Sequence, residues 1–340
     1  MENSRENKTS ALKKPFIFLS TWRSLPIYEL ISYILMYASL PMLAYGIQSY
    51  NWTIVKIIIL TILTLYSGFF AALIWNDITD ADIDAIAHPD RPIPGGRISK
   101  KNFFIIALTF SALTFIFALL INIWCLFLVG AAAIFVAVHN KFLKKIIKIP
   151  AYSEIFTPVQ WIVMAIVGFF AVWSTVPISN DIIITMPIFG STLSTNASEI
   201  QSMIIPVVFT YFIDVAHDLP EGIHDINGDL KMGVKTYATT FGIEKTIKVS
   251  LAMFFITGIL GILLFIKTVL SPFFLILFLI MWLYVFTYYY KLLKTDHKNK
   301  IKMATIVGRK GFDFYLFSFD LIFIDIFLQL LLNHFNLVIF

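Results

Sequence analysis

Nine stretches of the chain consist mostly of apolar residues and are long enough, or nearly so, to cross a lipid bilayer. The hydrocarbon core of a membrane is about 30 Å thick, which about 20 apolar helical residues span. The pattern predicts an all-α, polytopic membrane protein with nine transmembrane helices around a central cavity. The predicted spans are 27–48, 54–75, 103–121, 123–138, 155–173, 200–217, 247–266, 272–292 and 312–332.

The basic residues between these spans predict how the chain is oriented. All 26 except Lys56 and Lys267 fall in the N-terminal tail or in the segments that follow the second, fourth, sixth and eighth spans. Because cytoplasmic loops carry an excess of Lys and Arg, we expect the tail and these segments in the cytoplasm and the C-terminus on the opposite face. Residues 1–26 lack the apolar core of a signal peptide and are expected to form a solvated tail, which leaves 27–340 as one transmembrane domain.

The composition supports a membrane location and excludes several other classes of protein. Apolar residues make up 59% of the chain, charged residues only 14%, and the mean hydropathy is +0.82. Such a chain cannot give a soluble enzyme, a disordered regulator or a nucleic-acid-binding module the charged surface that it needs. The single cysteine, Cys125, lies in an apolar run and cannot form an intrachain disulfide.

The longest segment on the predicted external face, 174–199, is polar and rich in Ser, Thr and Asn. We expect it to be a loop that can include a short interfacial helix. It contains the glycosylation sequon Asn196-Ala197-Ser198, whose occupancy the sequence leaves open.

Ten of the 21 acidic residues fall in two short clusters, each at the cytoplasmic end of an inward-running span. In each cluster, three of the acids follow the i, i+3, i+7 spacing that places side chains on one face of a helix. Carboxylates stacked in this way repel each other unless a counter-charge is present, and near a bilayer they are costly. A divalent cation such as Mg²⁺, which prefers oxygen ligands and keeps positions for phosphate oxygens, is the natural counter-charge. The first cluster is Asp77, Asp80, Asp82, Asp84 and Asp90, and the second is Asp214, Asp218, Glu221, Asp225 and Asp229.

The residues around both clusters resemble the UbiA superfamily of intramembrane prenyltransferases. The segment NDITDADIDAIAHPDRPIPGGRIS is similar to the first signature of that family, NDxxDxxxD followed by R-P-[IL]-P-x-G. Asp225 and Asp229 match its second signature, DxxxD, with Gly233-Val234-Lys235-Thr236 trailing it. The resemblance extends from about 27 to 332. The RPIPxG form is closest to archaeal geranylgeranylglyceryl-phosphate transferases and chlorophyll synthases.

This resemblance implies a set of site residues and a reaction. Two Mg²⁺ ions would bridge the diphosphate of a prenyl substrate, taken to be geranylgeranyl diphosphate, and the chain would be transferred to a lipophilic acceptor with a glycerol-lipid or aromatic head group. The implied metal ligands and catalytic residues are Asn76, Asp77, Asp80, Asp84, Asp218, Asp225 and Asp229. The implied substrate-binding residues are Asn76, Arg91, Asn140, Lys144, Glu154 and Lys235.

This chain departs from the family pattern at three places, which bear on acceptor choice and metal geometry. His139 stands where Tyr is usual, Glu154 lies near the usual position of Asn, and Glu221-Gly222 replaces a polar or acidic pair. We expect Glu154 to contact the acceptor head group. His217 and His224 flank the second cluster as solvated or hydrogen-bonded side chains, or as bases for the acceptor.

Two other functions compete with prenyl transfer. In a terpene cyclase, a double bond of the substrate itself would attack the ionised carbon. In a transporter, the acids of the first and last spans would carry an ion or a metabolite; these are Glu29, Asp313, Asp320 and Asp325. The structural interpretation of the same acids is that they cap helices, hydrogen-bond to Tyr284, Tyr288 and neighbouring hydroxyls inside the bundle, or face an external vestibule.

Overall fold

A computed structural model describes residues 25–87, 89–139, 151–177, 179 and 181–335. The predicted tail therefore lies almost wholly outside the described residues. The helices are α1 Ile27–Tyr45, α2 Trp52–Thr79, α3 Ala81–Ala87, α4 Lys100–Ile121, α5 Ile123–Val138, α6 Tyr152–Trp173, α7 Ala197–His224, α8 Ile226–Met232, α9 Tyr237–Phe241, α10 Ile243–Lys267, α11 Pro272–Lys294 and α12 Lys300–His334, with a 3₁₀ turn at His297–Asn299.

Seven helices in the described part of the chain are long and apolar enough to cross a membrane. The remaining two predicted spans correspond to shorter apolar helices, Ile123–Val138 and the Trp161–Trp173 part of α6. The helical, multi-pass membrane architecture is thus confirmed, whereas the count of nine crossings stays a prediction.

The long helices pack in a closed ring. Helices α1, α2, α4, α5, α6, α7, α10, α11 and α12 each pack against the next, and α12 returns to α1. Helix α6 also packs against α1 and α2, and α7 packs against α12. This arrangement turns α1, α6, α7 and α12 towards the interior, where most of the largest fully buried aromatic side chains lie.

The helices that carry the acidic clusters extend beyond the predicted apolar spans. The spans end at residues 75 and 217, whereas α2 continues to Thr79 and α7 to His224. An apolar run measures the thickness of the lipid, while a helix continues into polar sequence wherever its backbone stays hydrogen-bonded. The extra turns place Asp77, Asp218 and Glu221 on regular helix.

The segment predicted to be external contains a β-hairpin and, among its described residues, no helix before α7, so the expected interfacial helix was wrong. Strands β1 Ile182–Thr185 and β2 Thr192–Thr195 pair antiparallel, with Ile182 opposite Thr195. The β-branched residues of IIIT favour an extended strand. Helix α7 begins directly after the hairpin, and the side chain of Asn196 caps it by accepting the Glu199 N–H at 2.9 Å.

Helix α7 contains a proline at the level of the second acidic cluster. Pro220 has no N–H group, so the carbonyl of Ala216, one turn earlier, lacks its helical partner. Two side chains from neighbouring helices donate to this carbonyl: Ser250 Oγ of α10 at 2.8 Å and Tyr289 OH of α11 at 3.0 Å. The interruption of α7 is therefore satisfied inside the protein.

Candidate functional site

The first acidic cluster lies where α2 ends and α3 begins. Asp77 is in the last turns of α2, and Asp80 ends that helix with its N–H bonded to the Asn76 carbonyl at 2.9 Å. The Asp84 N–H then bonds to the Asp80 carbonyl at 2.8 Å. Asp77 and Asp84 are only 2% and 3% exposed, so two carboxylates are buried at one helix junction.

Arg91 is the cation that the structure brings to this cluster. Its Nη1 lies 2.7 Å from both carboxylate oxygens of Asp84 and 3.7 Å from Asp77 Oδ1. The loop folds back in a tight turn, in which the Gly95 N–H bonds to the Arg91 carbonyl at 2.8 Å. Among the described residues, one guanidinium thus faces two buried carboxylates at this helix junction.

The deeper half of the second cluster is organised around His217 on α7. His217 Nε2 lies 3.2 Å from Asp214 Oδ1, and Nδ1 lies 3.4 Å from Asp218 Oδ1 and 3.8 Å from Glu221 Oε1. Asp214 and His217 are buried, and Asp218 is partly exposed. The oxygen and nitrogen atoms that Asp214, His217 and Asp218 offer lie within 4.8 Å of one another.

The outer half of the second cluster lies on the turn after α7. Asp225 ends α7 with an exposed side chain, and Asp229 is on the short helix α8. Burial raises the pKa of the Asp229 carboxyl, and the nearby Asp225 and Glu154 carboxylates raise it further. These acids therefore repel one another in the absence of a cation.

Glu154 lies beside the second cluster, at the start of α6. Its Oε1 accepts the Tyr237 N–H at 2.7 Å, while its Oε2 is buried without a hydrogen-bond partner. The Ala151 N–H bonds to the carbonyl of Lys235, a residue with an exposed side chain, at 3.1 Å. The start of α6 is thus fixed to the segment that trails the second motif. A contact of Glu154 with the acceptor stays a prediction.

Two of the predicted substrate-binding residues, Asn140 and Lys144, lie outside the described residues. His139, which precedes them, is buried and stacks on Phe156 with ring centroids 3.4 Å apart. The imidazole that replaces the usual Tyr therefore joins the end of α5 to α6.

Aromatic side chains from four helices meet in the interior beside the second cluster. Tyr33 of α1 lies 4.4 Å from Phe69 of α2 and 6.1 Å from Trp161 of α6, between ring centroids. Trp161 lies 6.0 Å from Tyr315 of α12, whose ring is 6.1 Å from that of His217. An aromatic surface thus extends from the acids into the bundle.

The acids of the first and last spans have partners other than the expected Tyr284 and Tyr288, which hydrogen-bond to each other. Arg309 binds Glu29 and Asp313, and Tyr28 OH donates to Asp313 Oδ1 at 3.1 Å. The two named partners were wrong, because the observed contacts join residues far apart in sequence, but the expected bond to another hydroxyl of the bundle is found at Tyr28.

Asp320 and Asp325, the two acids nearer the C-terminus, also accept hydrogen bonds from neighbouring helices. Ser32 Oγ donates to Asp320 Oδ2 at 2.6 Å. Asp325 caps the start of α11 by accepting the Ser271 N–H at 2.9 Å and the Phe274 N–H at 3.3 Å. Each acid thus has a structural contact, and none of these contacts requires a transported ion.

The arrangement of Asp214 and Asp218 around one imidazole was not anticipated from the sequence. The available signal was the spacing of Asp214, His217, Asp218 and Glu221, which is i, i+3, i+4, i+7 on one helix. That rhythm places all four side chains on a single face. The histidine lies at the centre of this acidic face, whereas the expectation placed it at the edge as a flanking residue.

Comparison with known proteins identifies a family and several relatives. The model of the UbiA prenyltransferase family matches residues 34–316. A digeranylgeranylglyceryl phosphate synthase from Sulfurisphaera tokodaii is 26% identical over 66% of this chain and 69% of its own length. Across this relative and two others of the same name, the match spans 58% to 69% of their length.

Solved structures share the fold. The apo structure of a UbiA homolog from Aeropyrum pernix K1 superposes with a TM-score of 0.65 at 16% identity, over 91% of this chain and 99% of that one. A UbiA homolog from Archaeoglobus fulgidus bound to DMAPP and Mg²⁺ superposes with a TM-score of 0.50 at 15% identity, over 85% of this chain and 96% of that one.

Proposed function

Because this chain belongs to the UbiA prenyltransferase family, we propose that it transfers an isoprenoid chain from a polyprenyl diphosphate to a lipophilic acceptor within the membrane, with Mg²⁺ as cofactor. The observation that carries the proposal is the junction of α2 and α3. There Asp77 and Asp84 are buried at 2% and 3% exposure beside the guanidinium of Arg91. Buried carboxylate oxygens next to a cation that can bind phosphate suit a hard metal ion and its anionic ligand.

The side chains of both clusters fit Mg²⁺ because they offer oxygen atoms, which this ion prefers. When bound, the ions would neutralise the charge that develops on the diphosphate as it leaves. The residues proposed to hold them are Asn76, Asp77, Asp80 and Asp84 in the first cluster, and Asp218, Asp225 and Asp229 in the second.

The diphosphate oxygens would be bound by cationic and amide side chains around the clusters. Arg91 is held at the first cluster by Asp84 and can turn its remaining N–H groups to a phosphate. Lys235 follows the second motif with an exposed side chain. Asn140 and Lys144 are assigned to the same anion on the family motif alone.

The proposed reaction breaks the bond between the allylic carbon and the diphosphate oxygen, and the electron pair leaves with diphosphate. The acceptor nucleophile then donates an electron pair to that carbon and loses its proton. Tyr33, Phe69, Trp161 and Tyr315 form an aromatic surface that can stabilise the allylic cation and exclude water.

The relatives named digeranylgeranylglyceryl phosphate synthase support a geranylgeranyl donor and a glycerol-lipid acceptor. We keep an aromatic acceptor as the alternative. Glu154 Oε2, buried without a partner, is placed to accept a hydrogen bond from an acceptor hydroxyl. The distribution of basic residues supports a cytoplasmic location for the N-terminus and both clusters.

The test is product formation by the purified protein in detergent with Mg²⁺, geranylgeranyl diphosphate and a panel of glycerol-lipid, quinone-precursor and porphyrin acceptors. Mass spectrometry should detect a geranylgeranyl adduct of one acceptor together with released diphosphate. A cyclic hydrocarbon formed without an acceptor would instead show terpene cyclisation. No diphosphate release with any acceptor would refute both enzyme functions and favour transport.

Replacing Asp77 with Asn should lower turnover by about 100-fold or more, because the change removes one strong electrostatic contributor while keeping the shape of the side chain. Asp82→Asn is the matched control, since Asp82 is exposed on α3 within the same acidic stretch. It should retain near-normal turnover. Full activity of a folded Asp77→Asn protein would contradict the metal assignment.

A further inference from the structure

We propose that His217 and Asp218 on α7 bind one divalent transition-metal ion, with Glu221 as a third ligand and Asp214 orienting the imidazole. This site shares Asp218 with the proposed second Mg²⁺ site. It differs from that site in its chemistry, because an imidazole nitrogen is a ligand that Zn²⁺, Mn²⁺ and Co²⁺ accept and Mg²⁺ rarely takes. The inference concerns ion binding and does not depend on prenyl transfer.

The buried imidazole supports the proposal. His217 is 5% exposed, and its Nδ1 has no hydrogen-bond partner. That nitrogen faces Asp218 Oδ1 at 3.4 Å and Glu221 Oε1 at 3.8 Å. Ligands about 2.1 Å from one metal ion lie about 3.0 to 3.5 Å from each other. The separations around Nδ1 are therefore at or slightly above those of a coordination sphere.

Asp214 occupies the position of a supporting carboxylate. Its Oδ1 lies 3.2 Å from His217 Nε2. In the proposed site this carboxylate accepts the Nε2–H proton, and the lone pair of Nδ1 is directed to the metal ion. A histidine that binds a metal usually donates its other ring N–H to a carboxylate or a carbonyl in this way. The carboxylate fixes both the tautomer and the direction of the ring.

The charge around His217 favours a cation. Asp214, Asp218 and Glu221 surround one imidazole, and Arg309 is engaged by Glu29 and Asp313. Within the described residues, the carboxylates of this group outnumber the cations. Burying such an excess is costly unless an ion compensates it.

The site is open on one side. Asp218 and Glu221 keep 21% and 52% of their side-chain surface exposed, in contrast to the buried His217. An ion held there would keep coordination positions for water or for a phosphate or hydroxyl oxygen of a substrate. The ring of Tyr315 lies 6.1 Å from the imidazole, which places the ion beside the aromatic surface.

The first experiment measures metal content. Chelator-treated protein in detergent is dialysed against Zn²⁺ with Mg²⁺ in large excess, and bound zinc is measured by mass spectrometry. We expect about one Zn²⁺ per chain in the unmodified protein and almost none in His217→Gln. His224→Gln is the matched control: His224 lies on the same helix, but it is exposed and its Nδ1 contacts Thr305 Oγ1. It should bind zinc normally.

Two further variants keep the test valid if His217→Gln does not fold. Glu221→Gln changes an exposed carboxylate, and Asp214→Asn changes the orienting one; we expect zinc affinity to fall by about 10- to 100-fold in Asp214→Asn. Co²⁺ bound in place of zinc should give visible absorption bands in the unmodified protein that are lost in His217→Gln.

Two results would overturn the proposal. The first is that the unmodified, folded protein retains no zinc or cobalt, which would indicate that a protonated His217 bridges the carboxylates. The second is that Glu221→Gln, Asp214→Asn and the unmodified protein contain equal amounts of zinc. The Mg²⁺-dependent transfer assay separates this outcome from failure of the proposed function, because zinc binding without transfer refutes only the latter.

Discussion

Arg91 can bind a carboxylate of the protein before the substrate arrives and a phosphate of the substrate afterwards. In the structure its Nη1 binds both oxygens of Asp84 at 2.7 Å, and Asp77 lies 3.7 Å away. A guanidinium has five N–H donors, so a contact through one nitrogen leaves the others for a phosphate. The carboxylate holds Arg91 in place, and the side chain needs little reorganisation to bind an anion.

Changing Arg91 to Lys should weaken binding of the prenyl diphosphate, because Lys supplies a point charge in place of a planar fork. We expect the apparent KM for the diphosphate to rise about tenfold, equivalent to about 1.4 kcal/mol, with the same acceptor and product. Steady-state kinetics with product analysis measures both effects.

Arg97→Lys provides the control for that change, since Arg97 lies in the same loop and contacts the carbonyl of Asp90. Its KM should stay near the unmodified value. An unchanged KM in Arg91→Lys, or a switch of acceptor, would show that Arg91 does not bind the diphosphate.

The position of a single side chain could be predicted from the sequence only when its partners lie close to it in the chain. The acids of NDITDADID lie within one stretch, and their helical spacing alone is enough to predict that they lie near one another. Asp325 accepts from Ser271, 54 positions away, and Asp320 from Ser32, 288 positions away. No local pattern encodes such contacts, because they depend on which helices become neighbours.

At the scale of elements, two glycines let α12 approach the helix that carries the second cluster. A Cβ at Gly308 would lie 2.8 Å from Glu221 Cγ. One at Gly311 would overlap the Tyr289 hydroxyl and lie 2.9 Å from His217 Cβ. Small residues at helix contacts permit close backbone packing in membranes. This packing fixes the face of α7 that holds His217.

Gly311→Ala should therefore destabilise the bundle by about 1 to 3 kcal/mol, as overpacking of a filled interior does. It should also displace His217 and reduce zinc binding. Thermal unfolding in detergent, followed by tryptophan fluorescence, measures the first effect.

The matched change is Gly130→Ala on α5, where an added Cβ meets no atom within 4 Å. Alanine is the better helix former by up to about 1 kcal/mol, so this protein should be as stable as the original or slightly more so. Equal stability of both variants would show that α12 and α7 can separate without cost.

The long helices could be predicted because a membrane requires apolar helices of a certain length. Apolar runs located the long helices, because a helix in a bilayer needs an apolar surface of membrane thickness. The hairpin Ile182–Thr195 was missed, since each of its strands is only four residues long and too short to give a clear alternating pattern. The extension of α12 back to Lys300 was missed because its first turns are charged.

For the whole molecule, the distribution of charge predicts the orientation in the membrane. The hairpin and the turn at His297–Asn299 fall on opposite sides of the predicted topology. The single native cysteine, Cys125, is buried. Introduced cysteines can therefore report sidedness with little background.

Ile188→Cys, at the exposed tip of the hairpin, should react with a membrane-impermeant maleimide in intact cells. Lys298→Cys, on the opposite side, should react only after permeabilisation, because positively charged segments face the cytoplasm. Labelling in the reverse pattern would show that the bundle is inverted and that the acidic clusters face outwards.

The ring of helices could be predicted only in part. The sequence predicted nine helices around a central cavity but not which helices are neighbours. The closure of α12 on α1, and the central place of α6 and α7, follow from side-chain packing across the bundle, which periodicity does not specify.

The cap that Asp325 places on α11 bears on how the protein is made. Synthesis begins at the N-terminus, so α11 reaches the membrane before its capping residue exists, and water must satisfy the first N–H groups of that helix. Those bonds close only when α12 folds back between α11 and α1. A chain that ends before Asp325 lacks the carboxylate that accepts these two N–H groups, so the start of α11 keeps only the cap that Ser271 Oγ gives to the Phe273 N–H. The last helix therefore completes the cap of α11 only after synthesis has passed Asp325.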